Sequence, residues 1–149
     1  MYCTSLDDGV YNCRIILQKK IIIPKSFLTS LELYANDQNP YEACAILLGN
    51  TDEKTWETVE IFLTENIEKS EINFTVSNEQ LLEGYKKAEE KGLDVVGIFH
   101  SHPKSVASPS STDIKFMKAN PVPWVIYSGL TKEMKAYFLD SEVIQIPIN

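Results

Sequence analysis

The longest apolar run of this chain, Ala43 to Leu48, limits the folds open to it more than any other feature. It is far too short to cross a bilayer, which takes about 20 residues of helix. Standing between Pro40 and Gly49, it reads as a buried strand over residues 42–49. A second apolar stretch, residues 93–100, is interrupted only by Asp94 near its start and reads the same way. Around this pair the sequence alternates between strand and helix patterns. Residues 14–23, rich in isoleucine, read as extended. Pro24 suits a first helical turn, and Phe27, Leu28, Leu31 and Tyr34 recur at three-to-four spacing, so a helix is predicted over residues 25–35, ended by Asn36-Asp37-Gln38-Asn39-Pro40. Alternation predicts a strand over 54–63 after a turn at Asn50-Thr51-Asp52. A further strand is expected around 72–76. Ser77 with Gln80 three residues on is a capping-box pattern for a helix over 78–91, closed by Gly92. A short helix over 111–119 and strands at 124–127, 134–139 and 143–148 complete the chain, with Gly129 marking the turn after the first of these strands. Residues 1–13, with Asp7-Asp8-Gly9 and no periodicity, read as a loosely held arm, and residues 14–149 as one α/β or α+β domain. Hairpin-like strands at both ends argue against a purely parallel sheet.

At 149 residues, 44% of them hydrophobic, such a domain can bury a core without a structural metal or disulfide, which leaves any metal site available for chemistry. The net charge of -7 and the lack of a Lys/Arg cluster beyond pairs such as Lys19-Lys20 and Lys86-Lys87 exclude the basic footprint of a nucleic-acid binder. No membrane segment is expected, and Asp7 and Asp8 stand where a signal peptide carries positive charge, so a cytoplasmic protein is the expectation. Three cysteines, Cys3, Cys13 and Cys44, form no framework and suit a reducing compartment, with a Cys3 to Cys13 bridge left open.

The chemistry concentrates in Gly97-Ile98-Phe99-His100-Ser101-His102-Pro103, which holds both histidines of the protein, with Asp113 following eleven residues after the second. Side chains two apart on a strand share a face, so His100 and His102 can present imidazoles to one point. Pro103 turns the chain, and an excursion returns it to Ser110, with Asp113 in the first turn of the next helix. Two nitrogens and a carboxylate oxygen form a three-ligand set typical of catalytic zinc, with a fourth position for water. Such a water needs a proton acceptor that is not itself a ligand. Glu42, opening the most apolar strand, is the candidate general acid/base, since partial desolvation raises a carboxyl pKa. Ser110 is the candidate donor to a developing oxyanion.

Glu42, then His100-Ser101-His102-Pro103, then Ser110 and Asp113 resemble the JAMM motif of the MPN-domain metalloproteases, E-x(n)-H-[ST]-H-x(7)-S-x(2)-D, with every element at the family spacing. Pro40-x-Glu42-x-Cys44 before an aliphatic run ending in Gly49, Gly97-Ile98-Phe99 and Pro109-Ser110 agree with its flanks. The likeness covers about residues 15–140. It implies a single MPN-type domain, a mixed, largely antiparallel sheet flanked by helices in the cytidine-deaminase-like manner. It also implies one Zn²⁺ held by His100, His102 and Asp113, with Glu42 shuttling the proton and Ser110 steadying the tetrahedral intermediate. The implied reaction is hydrolysis of an isopeptide or peptide bond after the C-terminal glycine of a ubiquitin-like protein. Two alternatives stay open: release of cysteine or a peptide from a sulfur-carrier protein, and a non-catalytic MPN scaffold. Ala45 departs from the family's frequent glycine, and the chain as given carries no extensions for partner subunits, which favours a stand-alone prokaryote-type enzyme.

Plainer readings stand beside these. Ser110-x-x-Asp113 is itself capping-box-like, Asp113 suits a helix first turn, and Glu42 could be a solvated charge after a Pro40-Tyr41 turn. Cys44 reads as a small buried hydrophobe. The expected partner is a ubiquitin-like or sulfur-carrier protein, gripped by loops at 64–72 and 105–109, with no nucleic acid or membrane; the sequence leaves monomer or homodimer undetermined.

Overall fold

The computed structural model describes residues 2–5, 11–14, 18–72 and 77–149. β1 (Tyr2–Ser5) and β2 (Tyr11–Arg14) pair antiparallel as a separate two-stranded sheet, within the stretch expected to be an arm. The main sheet is built from β3 (Lys20–Ile22), β4 (Cys44–Thr51), β5 (Thr55–Thr64), β6 (Asp94–His102), β7 (Trp124–Ser128), β8 (Met134–Leu139) and β9 (Val143–Ile146), in the spatial order β3-β5-β4-β6-β7-β8-β9. β3 with β5 and β6 with β7 run parallel, and the other four pairings are antiparallel, as the expected mixed sheet requires. The helices are α1 (Lys25–Gln38), α2 (Asn78–Glu90) and α3 (Ser111–Ala119). Residues 73–76 of the expected strand at 72–76 lie outside the described residues. Among the described residues no helix is long and apolar enough to cross a membrane.

The apolar run owes its continuity to burial on both faces of a central strand. Ala45 and Leu47 of β4 join Phe99, Val125 and Tyr127 in the cluster that receives Leu31 and Ala35 of α1. On the opposite face Cys44 meets Ile98, Trp124, Ile126 and Met117 of α3, while Ile46 and Leu48 meet Ala88 of α2. Helices thus cover both sides, and the α3 side carries the histidines. Cys44 is a buried residue of that core, as its small apolar character suggests.

Several boundaries differ from the sequence reading for identifiable reasons. α1 runs three residues past Ala35, through Asn36, Asp37 and Gln38, and stops where Asn39 turns extended (φ -50, ψ 134) ahead of Pro40. The proline ends it, because the residue before proline is pushed out of the helical region. β6 continues past His100 because its parallel pairing with β7 persists to His102 opposite Ser128. β4 starts at Cys44, leaving Glu42 just ahead of the strand instead of within it. Ser77 caps α2 by accepting the Gln80 N–H at 3.1 Å, while the Gln80 side chain accepts the Glu65 N–H at 2.8 Å. Gly92 closes α2 with φ 66, a conformation that favours glycine.

Candidate metal centre

β6 is held on both sides, with His100 opposite Cys44 of β4 and Ile126 of β7, so the position of its imidazole is set by two ladders. His102 lies two residues on, on the same face. α3 brings up the third group. Ser110 Oγ accepts the Asp113 N–H at 3.1 Å, and Asp113 Oδ2 accepts the Ser110 N–H at 2.8 Å, so the capping box is fully formed. The same Oδ2 lies 3.2 Å from His100 Nε2 and 3.2 Å from His102 Nε2, and the two nitrogens are 3.0 Å apart. All three residues are buried. The capping box and the approach to the histidines are compatible, because one Asp113 carboxylate oxygen both caps the helix and closes the triangle.

The donor set fits a metal ion. His102 Nδ1 lies 2.9 Å from the Val106 carbonyl, which can only accept, so Nδ1 carries the proton and Nε2 offers a lone pair toward the triangle. A carboxylate oxygen and imidazole nitrogens this close repel unless a cation or a shared proton lies among them. Donors held tetrahedrally at about 2.0–2.1 Å from zinc are themselves about 3.3–3.4 Å apart, close to the edges seen here. The three groups shift one another's protonation. Burial would raise the Asp113 carboxyl, yet its bonds to His100 and then His102 outweigh this and hold it far below the usual carboxylate range. Burial pushes His100 down against the pull of Asp113. Burial also opposes a charge on His102, but Asp113, the Val106 carbonyl and Glu42 together raise it.

Glu42 is buried, 4% exposed, and near enough to His102 and Asp113 to feel both charges. Burial first, opposed by His102 and reinforced by Asp113, pushes its carboxyl up to about 8. The plainer reading of Glu42 as a solvated charge is therefore wrong, since the turn at Pro40-Tyr41 directs it inward. A pH dependence follows with a definite sign. Glu42 takes up a proton on folding, so its contribution to the stability of the chelated protein is complete below pH 4.5 and is lost as pH rises to about 8. Thermal unfolding of the chelated wild type should fall over that window relative to chelated Glu42→Gln. Parallel curves would contradict a raised carboxyl.

The loop after the histidines, residues 103–109, is tied down by Ser128 and Tyr137, which the sequence reading did not single out, and by Gly129, which it read only as a turn. Ser128 Oγ donates to the Ser105 carbonyl at 2.6 Å, Tyr137 Oη donates to the Ala107 carbonyl at 2.5 Å, and the Gly129 N–H donates to the His102 carbonyl at 2.8 Å. A Cβ on Gly129 would lie 2.5 Å from the Pro103 carbonyl oxygen, so only glycine lets this turn approach the loop. These groups bracket Val106, the acceptor that sets the His102 tautomer. Tyr137→Phe is expected to keep the fold and weaken zinc binding about tenfold, the scale of outer partners of a ligand. Chelator competition measures it, and unchanged affinity would mean the loop holds without Tyr137. Ser101, the residue between the histidines, points to the other face and accepts the Ala43 N–H at 2.8 Å. Its place in the motif was the available signal for a role beside the ligands.

A model of the family described as prokaryotic homologs of the JAB domain matches residues 24–140. The chain is 31% identical over 122 residues to the desampylase of Pyrococcus furiosus, covering 82% of this chain and 83% of that protein. It is 26% identical over 133 residues to the CysO-cysteine peptidase of Mycobacterium tuberculosis, covering 87% and 90%. Among solved structures, a protein of Desulfitobacterium hafniense superposes with a TM-score of 0.74 at 23% identity, covering 87% and 91%. A JAB1/MPN domain protein of Archaeoglobus fulgidus superposes with a TM-score of 0.56 at 18% identity, covering 89% and 98%.

Proposed function

The chain belongs to the family of prokaryotic homologs of the JAB domain, and from that premise we propose that it is a zinc-dependent isopeptidase cleaving after the C-terminal glycine of a ubiquitin-like protein. The observation that carries the reading is the meeting of His100, His102 and Asp113 at 3.0–3.2 Å with the raised carboxyl of Glu42 beside them. The substrate class is supported by the Pyrococcus furiosus relative, a desampylase. In this reading one Zn²⁺ would be held by His100, His102 and Asp113 and would supply a Lewis acid and a water with a pKa of about 7. Glu42 accepts the proton of the attacking water and passes it to the departing lysine amine. The C–N bond breaks as the new C–O bond completes a carboxylate on glycine. Because the Ser110 Oγ accepts the Asp113 N–H, its own O–H proton can be donated to the oxygen that becomes negative.

The loops at residues 64–72 and 105–109 are assigned to grip the modifier tail. An ion pair of 2.6 Å between Lys104 and Glu71 links the two sides of this mouth, and Ile72 and Val106 are exposed there. Incubating the purified protein with a lysine conjugate of a ubiquitin-like protein tests the proposal: cleavage stops with chelator and returns with zinc. Cleavage that ignores chelator, or an intact conjugate at full zinc loading, would refute it. The likeness to a CysO-cysteine peptidase favours a second reading, release of cysteine from a sulfur-carrier protein. A carrier ending in glycine-cysteine, supplied in parallel with the lysine conjugate, separates the two. Tight zinc binding and turnover would both be missing in a scaffold.

A further inference from the structure

We propose that Asn66 is the positioning residue for Glu42, holding the proposed general base in place from a loop 24 residues away; the inference rests on the role assigned to Glu42 above. Glu42 precedes β4 and so lies outside the ladders that lock Cys44 and its successors. Its backbone is held instead by substitutes. The Glu42 N–H donates to the Ser70 carbonyl at 2.9 Å. The Glu42 carbonyl accepts from Asn66 Nδ2 at 3.1 Å, and the same nitrogen reaches the Ser70 carbonyl at 3.3 Å. The next N–H, of Ala43, goes to Ser101 Oγ. Three backbone polar groups around the Glu42 Cα are thus bonded, two of them to the loop that Asn66 organises.

Asn66 itself is buried, 8% exposed. Its Oδ1 accepts the Glu68 N–H at 3.1 Å, and its carbonyl accepts the Lys69 N–H at 3.1 Å, at a turn where Lys69 has φ 47. The side chain therefore needs an acceptor facing its own loop and a donor facing Glu42, at a fixed short reach. Asparagine meets this requirement, aspartate lacks the donor, and glutamine adds a methylene. A general base must come within about 2.6–3.2 Å of the proton it takes, and a displacement of about 1 Å can cost about a hundredfold in rate. Ordinary loop stability does not require the donor to point at this particular carbonyl.

The test uses zinc-loaded protein and a lysine conjugate of a ubiquitin-like protein. Asn66→Asp, which keeps the acceptor for Glu68, and Asn66→Ala should each lower kcat at least about tenfold, with KM and zinc content unchanged. On a Glu42→Gln background neither should lower the residual rate further. A loss lying in KM, or an equal loss on both backgrounds, would overturn the proposal, the first by making Asn66 a substrate contact and the second by making it merely structural. A second readout needs no turnover. Hydrogen exchange at the amide of Glu42 should quicken at least about tenfold in both variants while that of Phe99 in β6 stays slow. Unchanged exchange at Glu42 would overturn the proposal even with an active enzyme. If the wild type leaves the conjugate intact, the isopeptidase reading fails by itself and the exchange result still decides whether Asn66 holds Glu42.

Discussion

Glu42→Gln is expected to lower conjugate cleavage by about 10²–10⁴-fold in kcat, the range of a lost general acid/base, while zinc content and KM stay unchanged. The substitution is nearly isosteric and removes only the capacity to carry a proton. Glu42 is not among the three converging donor atoms, so the metal should remain. Its surroundings suit the task. A carboxyl raised to about 8 by burial could accept a proton at neutral pH if a cation held among the proposed ligands drew it back toward ionisation, and could return that proton to an amine. Zinc stoichiometry measured alongside single-turnover cleavage separates proton transfer from metal loss. A Glu42→Gln variant that retained wild-type turnover would remove Glu42 from the mechanism.

Asp113 should give the largest change in metal affinity, and two substitutions there separate its two jobs. Asp113→Ala removes both the third donor and the acceptor of the Ser110 N–H. It should lose tight zinc binding and also, beyond what Asp113→Asn loses, about 1 kcal/mol of stability in the chelated protein, the usual cost of a lost helix cap. Asp113→Asn can still accept the Ser110 N–H and so keeps the cap, and the chelated variant should lose only the charged bonds of Asp113 to His100 and His102. Zinc affinity should nevertheless fall more than about 100-fold, beyond what losing a ligand's supporting partner costs, because a neutral amide replaces the negative oxygen. Chelator competition gives the affinity, and the difference in unfolding between the two chelated variants gives the cap. If Asp113→Asn kept tight stoichiometric zinc, the triangle would not be the metal site.

The residues of the candidate metal site were visible in the chain because they are short-range. His100 and His102 share a strand face by being two apart, and Ser110 and Asp113 form one helix start by being three apart. Hydrophobic periodicity likewise placed the helices and the central strands to within a few residues. It missed how far α1 runs, since polar Asn36, Asp37 and Gln38 can continue a helix as well as end one, and only Pro40 stops it.

What the chain alone determined is the inventory: two imidazoles, two carboxyls and a hydroxyl at spacings compatible with one site, on elements of the right kind. What only the tertiary structure decided is the arrangement. The pairing of β4 with β6 brings Glu42, just ahead of β4, near His102 60 residues later, Ser101 reaches Ala43, Tyr137 reaches Ala107, and Asn66 reaches Glu42. These bonds join residues distant in the chain through backbone carbonyls and amides that every residue carries, so no residue type announces them. Their geometry exists only once the sheet has closed and excluded water from both faces.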